Sequence, residues 1–125
     1  MFDVLIIGGG QAGSMTAINL RKQKYEGSIA IITEERHHPY QRPPLSKGFL
    51  SGDVKQENLF FKSERYYQKN NIKVFLKSHA VGIEAKKQKV ILERGEEIKY
   101  KKLVIATGSK LNKITPEEAE KIVYL

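Results

Sequence analysis

The chain opens with an uninterrupted apolar run at residues 4–7, and a second apolar stretch occupies residues 29–33. Runs of this length without polar alternation predict strands covered on both faces, as in a parallel sheet. Between them, Ala17, Ile18 and Leu20 fall on one side of a 3.6-residue period, which predicts a helix from Ala12 to about Lys24. Later segments follow the same logic. A short helix is expected at residues 63–69, with one of Tyr66 and Tyr67 facing the core, and a strand at 72–76. Residues 79–109 read as a β-meander in which Arg94-Gly95 makes a hairpin turn and residues 103–106 form another apolar run ending in Thr107-Gly108. The class is α/β, with a parallel sheet and a meander.

The turn between the first strand and the first helix is GGGQAG, residues 8–13. Gly8 permits the tight turn, Gly10 lets backbone approach a pyrophosphate with no Cβ in the way, and Gly13 lets helix and strand pack closely. Ala12 begins the helix at the same site. Free N–H groups at a helix N-terminus, together with the helix dipole, favour an anion. Glu34 follows the second strand roughly 20 residues beyond the glycines, where a carboxylate can accept hydrogen bonds from an unmodified ribose. Strand, turn, helix, strand and acid in one βαβ unit specify a Rossmann-type dinucleotide site. FAD and NAD share the ADP half that such a unit reads, so the unit alone leaves both open.

Residues 39–52, PYQRPPLSKGFLSG, narrow the choice. Pro43 and Pro44 stiffen the loop and lead into a short helix near Ser46, which caps it. Arg42 offers a planar fork for a phosphate oxygen, and Lys47 a compact charge for a flavin edge or a carboxylate. At PYQRPPLSK the chain resembles the N-terminal part of the FAD-dependent, NAD(P)H-using ferredoxin reductases, the branch of the pyridine nucleotide-disulfide oxidoreductases that includes rubredoxin and putidaredoxin reductases and apoptosis-inducing factor. The resemblance runs on through VIATGS to the end of the chain. It implies FAD as cofactor and NAD(P)H as electron donor through a domain that this chain lacks. It also implies that Glu34 and Glu35 bind the adenosine ribose, Arg42 the pyrophosphate, and Val81 the adenine through its backbone. Ala106, Thr107 and Gly108 would pass beside the FAD, and Pro44 and Lys47 would border the isoalloxazine ring. Lys47 is the one residue assigned a catalytic part. In the family this lysine pairs with a distant glutamate, and none is identifiable here.

With no cysteine among 125 residues, the chain cannot carry a redox-active disulfide where PYQRPPLSK stands, so electrons must leave for another molecule. The resemblance makes that acceptor an iron–sulfur protein of the ferredoxin or rubredoxin type. No signal peptide or membrane span is recognised, which suits a cytoplasmic protein. The family uses several hundred residues. Residues 1–125 therefore read as the first portion of an FAD-binding domain, with the NAD(P)H-binding and C-terminal interface domains absent, and hence as a fragment or truncated gene product. Thr115 and Pro116 start a helix at the end of the chain. The competing class is a non-enzymatic module that holds an adenine dinucleotide without turnover.

Lysine and arginine outnumber acids 22 to 14, for a net charge of +8. Lys86, Lys87, Lys89, Lys99, Lys101 and Lys102 flank predicted strands as solvated residues do, and no nucleic-acid fold signature or stacking set accompanies them. Nucleic acid is rejected as a partner. A positive face instead suits steering of an acidic electron acceptor. His37, His38 and His79 lack the spacing of a metal-ligand set and read as loop residues.

Overall fold

The computed structural model describes residues 1–40, 48–52 and 60–109. In chain order the elements are β1 (Phe2–Ile7), α1 (Gln11–Lys22), β2 (Ile29–Ile32), α2 (Gly48–Ser51), α3 (Glu64–Lys69), β3 (Ile72–Phe75), β4 (Ala80–Glu84), a 3₁₀ turn (Ala85–Lys87), β5 (Lys89–Leu92) and β6 (Glu97–Ile105). The six strands form one sheet in the order β3-β2-β1-β6-β5-β4. β3, β2, β1 and the second half of β6 run parallel, whereas β4, β5 and the start of β6 are antiparallel. A single nine-residue strand, β6, joins the two regions. The sequence reads residues 103–106 as a further apolar run at the end of the meander. The structure makes Glu97–Ile105 one strand, because Val90 pairs with Ile98 on one side while Leu5 and Ile7 pair with Leu103 and Ile105 on the other.

Alternation in β1 divides the core. Val4 and Ile6 face the helical layer with Ala17, Ile29, Ile31 and Tyr67, whereas Leu5 and Ile7 face the meander with Ala30, Ile32, Val90 and Leu92. Both faces of the parallel strands are covered, as their unbroken apolar runs require. Tyr67 is the inward member of the tyrosine pair, 1% exposed, and its ring meets Tyr66 edge-on at 5.8 Å. Burial, then the neighbouring Tyr66, pushes its phenol up to about 12.

Helix ends follow local chemistry. α1 stops at Lys22, two residues short of the expected end, because Lys24 takes a left-handed φ of 62°. At α3, Ser63 accepts a hydrogen bond from the Tyr66 N–H at 3.3 Å, so it caps the helix instead of opening it. Gly95, at φ 90°, turns the β5–β6 hairpin. The short helix expected near Ser46 is α2; Ser46 and the helix start at Thr115 lie outside the described residues.

Two polar clusters lock the layers. The Arg21 guanidinium donates to the carbonyls of Tyr25 (2.6 Å), Asn70 (2.7 Å), Gly27 (2.8 Å) and Asn71 (3.1 Å). It thereby ties the end of α1, the loop into β2 and the turn from α3 into β3. At the start of β1, the Asp3 carboxylate accepts from the Ser28 N–H at 2.8 Å and from Lys101 Nζ at 2.8 Å, linking β1 to β2 and β6. Lysines on the meander are only partly as the sequence suggests. Lys86, Lys99 and Lys102 are exposed, but Lys89 has its side chain 12% exposed between Glu97 (2.8 Å) and Glu84 (3.6 Å). Cross-strand pairing with acids on both neighbours removes it from the free positive face.

Replacing Arg21 by alanine strips four carbonyls of a charged donor, and urea unfolding should show a loss of about 2–4 kcal/mol. Asp3 gives a pH effect. Lys101, then the N–H and hydroxyl of Ser28, pull its carboxyl from 3.8 down to about 2. A carboxylate stronger in the fold than in the unfolded chain contributes stability at neutral pH and loses it as pH falls from about 4 to about 2. Asp3→Asn should flatten that part of the stability–pH curve measured by denaturant unfolding.

Candidate functional site

The C-terminal ends of β1, β2 and β6 open onto a cleft of about 650 Å³. Its floor is the glycine turn. Gly8 holds φ 118°, its N–H donates to the Ile32 carbonyl at 2.8 Å, and the Ala106 N–H donates to the Ile7 carbonyl at 2.8 Å. A Cβ on Gly8 would stand 2.1 Å from the Ala106 oxygen, so only glycine can thread the turn between β2 and β6. Gly13 lies beneath, buried. There a Cβ would meet the Gly8 oxygen at 2.0 Å, which is the close helix–turn approach expected of it.

Gly10 is the N-cap of α1. Its backbone is extended and supplies no side-chain cap to the helix, and the first turn holds no acid. The first N–H groups of a twelve-residue helix thus face the cleft without a side-chain partner at the cap, the arrangement that receives an anion. Ser14, fully buried, donates its hydroxyl to the Gly10 carbonyl and holds that cap in place.

Of the residues singled out in the sequence, Gly8, Gly10, Ala12, Glu34, Glu35, Ala106, Thr107 and Gly108 all line this one cleft. Glu34 stands at the rim with its side chain 58% exposed and Oε1 3.0 Å from His79 Nδ1. Glu35 turns toward Tyr40, whose hydroxyl donates to its Oε2 at 2.9 Å, so the first described residues of the PYQRPPLSK segment are bound to the end of β2. Val81, expected to offer its backbone, is 57% exposed, and the cleft is lined by its neighbour Ala80. A register shift in β4, with Ala80 opposite Leu92 and Gly82 opposite Ile91, leaves Val81 without a partner on β5. Arg42, Pro44 and Lys47 lie outside the described residues.

Sequence reasoning missed Gly9, Thr33 and Ser78. A Cβ on Gly9 would come within 2.7 Å of the buried Thr33 hydroxyl, so the middle glycine is a packing requirement of β2. Thr33 Oγ1 accepts from the Glu35 N–H at 3.2 Å, and the Thr33 carbonyl accepts from the Ser78 N–H at 2.8 Å. No local pattern announces the meeting of Gly9 with Thr33 or of Thr33 with Ser78, the latter joining segments more than forty residues apart.

A second concavity of about 740 Å³ lies beyond β3, lined by Arg36, His37, His38, Phe60 and Lys62 among others. It is the larger, yet it has neither a glycine turn nor the end of a long helix, so the strand-end cleft is the better dinucleotide site. Among the described residues no group of three or more His, Asp or Glu side chains is placed to hold a metal ion, and no helix is long and apolar enough to cross a membrane.

Residues 2–125 match the pyridine nucleotide-disulphide oxidoreductases. The chain belongs to that family. It is 38% identical over 117 residues to rubredoxin-NAD(+) reductase of Pseudomonas putida, covering 94% of this chain and 30% of that protein. It is 39% identical to the benzene 1,2-dioxygenase system ferredoxin–NAD(+) reductase subunit of the same organism, covering 86% of this chain and 26% of that one. Among solved structures it superposes on putidaredoxin reductase in its covalent complex with putidaredoxin with a TM-score of 0.86 at 33% identity, over 90% of this chain and 27% of that one. NADH:rubredoxin oxidoreductase from Clostridium acetobutylicum gives a TM-score of 0.81 at 37% identity, over 91% and 29%. The chain therefore spans less than a third of the length of these relatives. The α/β Rossmann-like class read from the sequence is the fold observed, and the sheet is part of that of the full fold.

Gly13→Ala puts a methyl group against backbone that cannot step aside. It should cost about 3 kcal/mol, the upper end of overpacking penalties, in chemical denaturation. Gly82→Ala is the control, because there a Cβ would stand 3.8 Å from Ile91 in ordinary contact.

Proposed function

We propose that this chain is the FAD-binding portion of an NAD(P)H-dependent reductase that passes electrons to an iron–sulfur carrier of the ferredoxin or rubredoxin type. The observation that carries the reading is the N-terminus of α1, uncapped by any side chain at Gly10, facing a cleft whose floor is the turn at Gly8 and whose rim bears Glu34. Those features fit the ADP half of FAD. The names of the relatives, reductases of rubredoxin and of ferredoxin components, support the activity.

In this reading each residue has a definite task. The N–H groups at the start of α1 receive the pyrophosphate, with Gly10 and Ala12 admitting it closely and Arg42 adding a charged fork. Glu34 accepts from the adenosine ribose, with Glu35 beside it. Adenine rests on the backbone of β4 at Val81, whose bulge leaves it unpaired with β5. Ala106, Thr107 and Gly108 wall the opposite side, where β6 ends. Pro44 and Lys47 border the flavin ring, Lys47 as a positive charge that tunes its electronics. FAD, when bound, supplies the conversion of a two-electron hydride into single electrons. The chain's own share is to bind, orient and tune. The nicotinamide site belongs to a domain outside these residues, and the whole protein is placed in the cytoplasm. The positive charge suits an acidic carrier, whose encounter rate would fall as salt rises.

The full-length protein, denatured and scanned, should release a flavin spectrum; a preparation that releases none and binds no added FAD overturns the reading. Glu34→Ala should weaken FAD by about 1–3 kcal/mol, because ribose hydroxyls lose a charged acceptor. Titration of the apoprotein by flavin fluorescence measures it, and unchanged affinity removes Glu34 from the ribose.

A further inference from the structure

We infer that His79 is a positioning residue for the ribose-binding carboxylate, an inference that rests on the dinucleotide reading above. Segment 77–80 is strapped across the rim of the cleft. The Lys77 N–H donates to the Glu35 carbonyl at 2.9 Å, the Ser78 N–H to the Thr33 carbonyl at 2.8 Å, and the His79 carbonyl accepts from the Glu93 N–H at 2.8 Å. His79 is thus held by backbone between the end of β2 and the hairpin of the meander. From there its Nδ1 reaches Glu34 Oε1 at 3.0 Å.

The contact lies at ion-pair distance, and in it a carboxylate oxygen can only accept. Ser78 and Ala80 line the cleft, whereas His79 between them does not. Any influence of His79 on a ligand there therefore passes through Glu34. That influence is needed because the Glu34 side chain is 58% exposed. A free glutamate at such a site samples many rotamers and loses that freedom on binding a ribose. Fixed by His79 through Oε1, it still presents Oε2 and a second lone pair on Oε1 to a diol. Pre-ordering of this kind raises affinity without adding a contact to the ligand.

The test uses the full-length apoprotein, titrated with FAD and with the FAD analogue lacking both hydroxyls of the adenosine ribose, read by flavin fluorescence. His79→Ala should weaken FAD about two- to fivefold, the range of an exposed ion pair, and leave the analogue almost unchanged. His79→Asn, which keeps an N–H donor near the place of Nδ1, should recover most of the loss. Combined with Glu34→Ala, His79→Ala should add nothing further. His79→Ala with wild-type FAD affinity overturns the inference, as does an equal loss for both flavins, since that would mark general damage to the strap. Failure of the wild-type protein to bind either flavin would overturn the dinucleotide reading itself, and His79 with it.

Discussion

The approach of three backbone segments at Gly8 is the constraint on which the rest of the structure depends. The turn leaving β1 lies so close to the Ala106 carbonyl of β6 on one side, and its own carbonyl so close to Gly13 of α1 on the other, that neither position has room for a methyl group. This approach sets the angle at which α1 leaves the sheet. It also aims the first N–H groups of the helix into the space above the strand ends, where the helix dipole can act on an anion. Had the turn been looser, the same helix could have packed on the sheet, but its N-terminus would not have faced the cleft.

That geometry depends on the sheet being braced beyond the βαβ unit. β6 pairs with β1 along its second half and with β5 at its start, so the meander and the parallel sheet share one strand. The meander then covers the face of β1 opposite the helices, burying Leu5 and Ile7 against Val90 and Leu92. Asp3 and Lys101 stitch the beginning of this arrangement, and the Gly8 and Ala106 hydrogen bonds its end. The site is therefore built at the junction of two layers, and its walls come from residues 7–12, 32–35 and 106–109 together with Ser78 and Ala80.

Cofactor chemistry and protein chemistry are divided cleanly in such a site. In the proposed reading backbone does most of the recognition: helix N–H groups for an anion, the strand edge at Val81, and the chain at Thr107-Gly108 just beyond β6. Side chains add charge at the rim. With no cysteine in the 125 residues, no disulfide in this portion can act as an electron relay, despite the family's name. Redox chemistry in this reading belongs to the bound flavin and to whatever it meets.

Much of this was legible in the order of residues alone. An apolar run, a glycine turn and an amphipathic stretch are local patterns, governed by sterics within a few residues, so β1, α1, β2 and the short helix near residues 63–69 could be read directly, as could the gathering of Gly8, Gly10, Glu34 and Ala106 at one end of a parallel sheet. The partners of those residues were not legible. That Gly9 must yield space to Thr33, that Arg21 gathers carbonyls from two loops, that Lys89 is enclosed by two acids, that Val81 sits exposed at a register shift and that His79 meets Glu34 are all products of strand register and of contacts between distant segments. Local propensity carries no information about register, because the pairing of one strand with another is decided by which faces the whole core must bury. The sequence by itself determined the βαβ unit and its glycine turn; only the tertiary structure decided which side chains stand around the cleft above it.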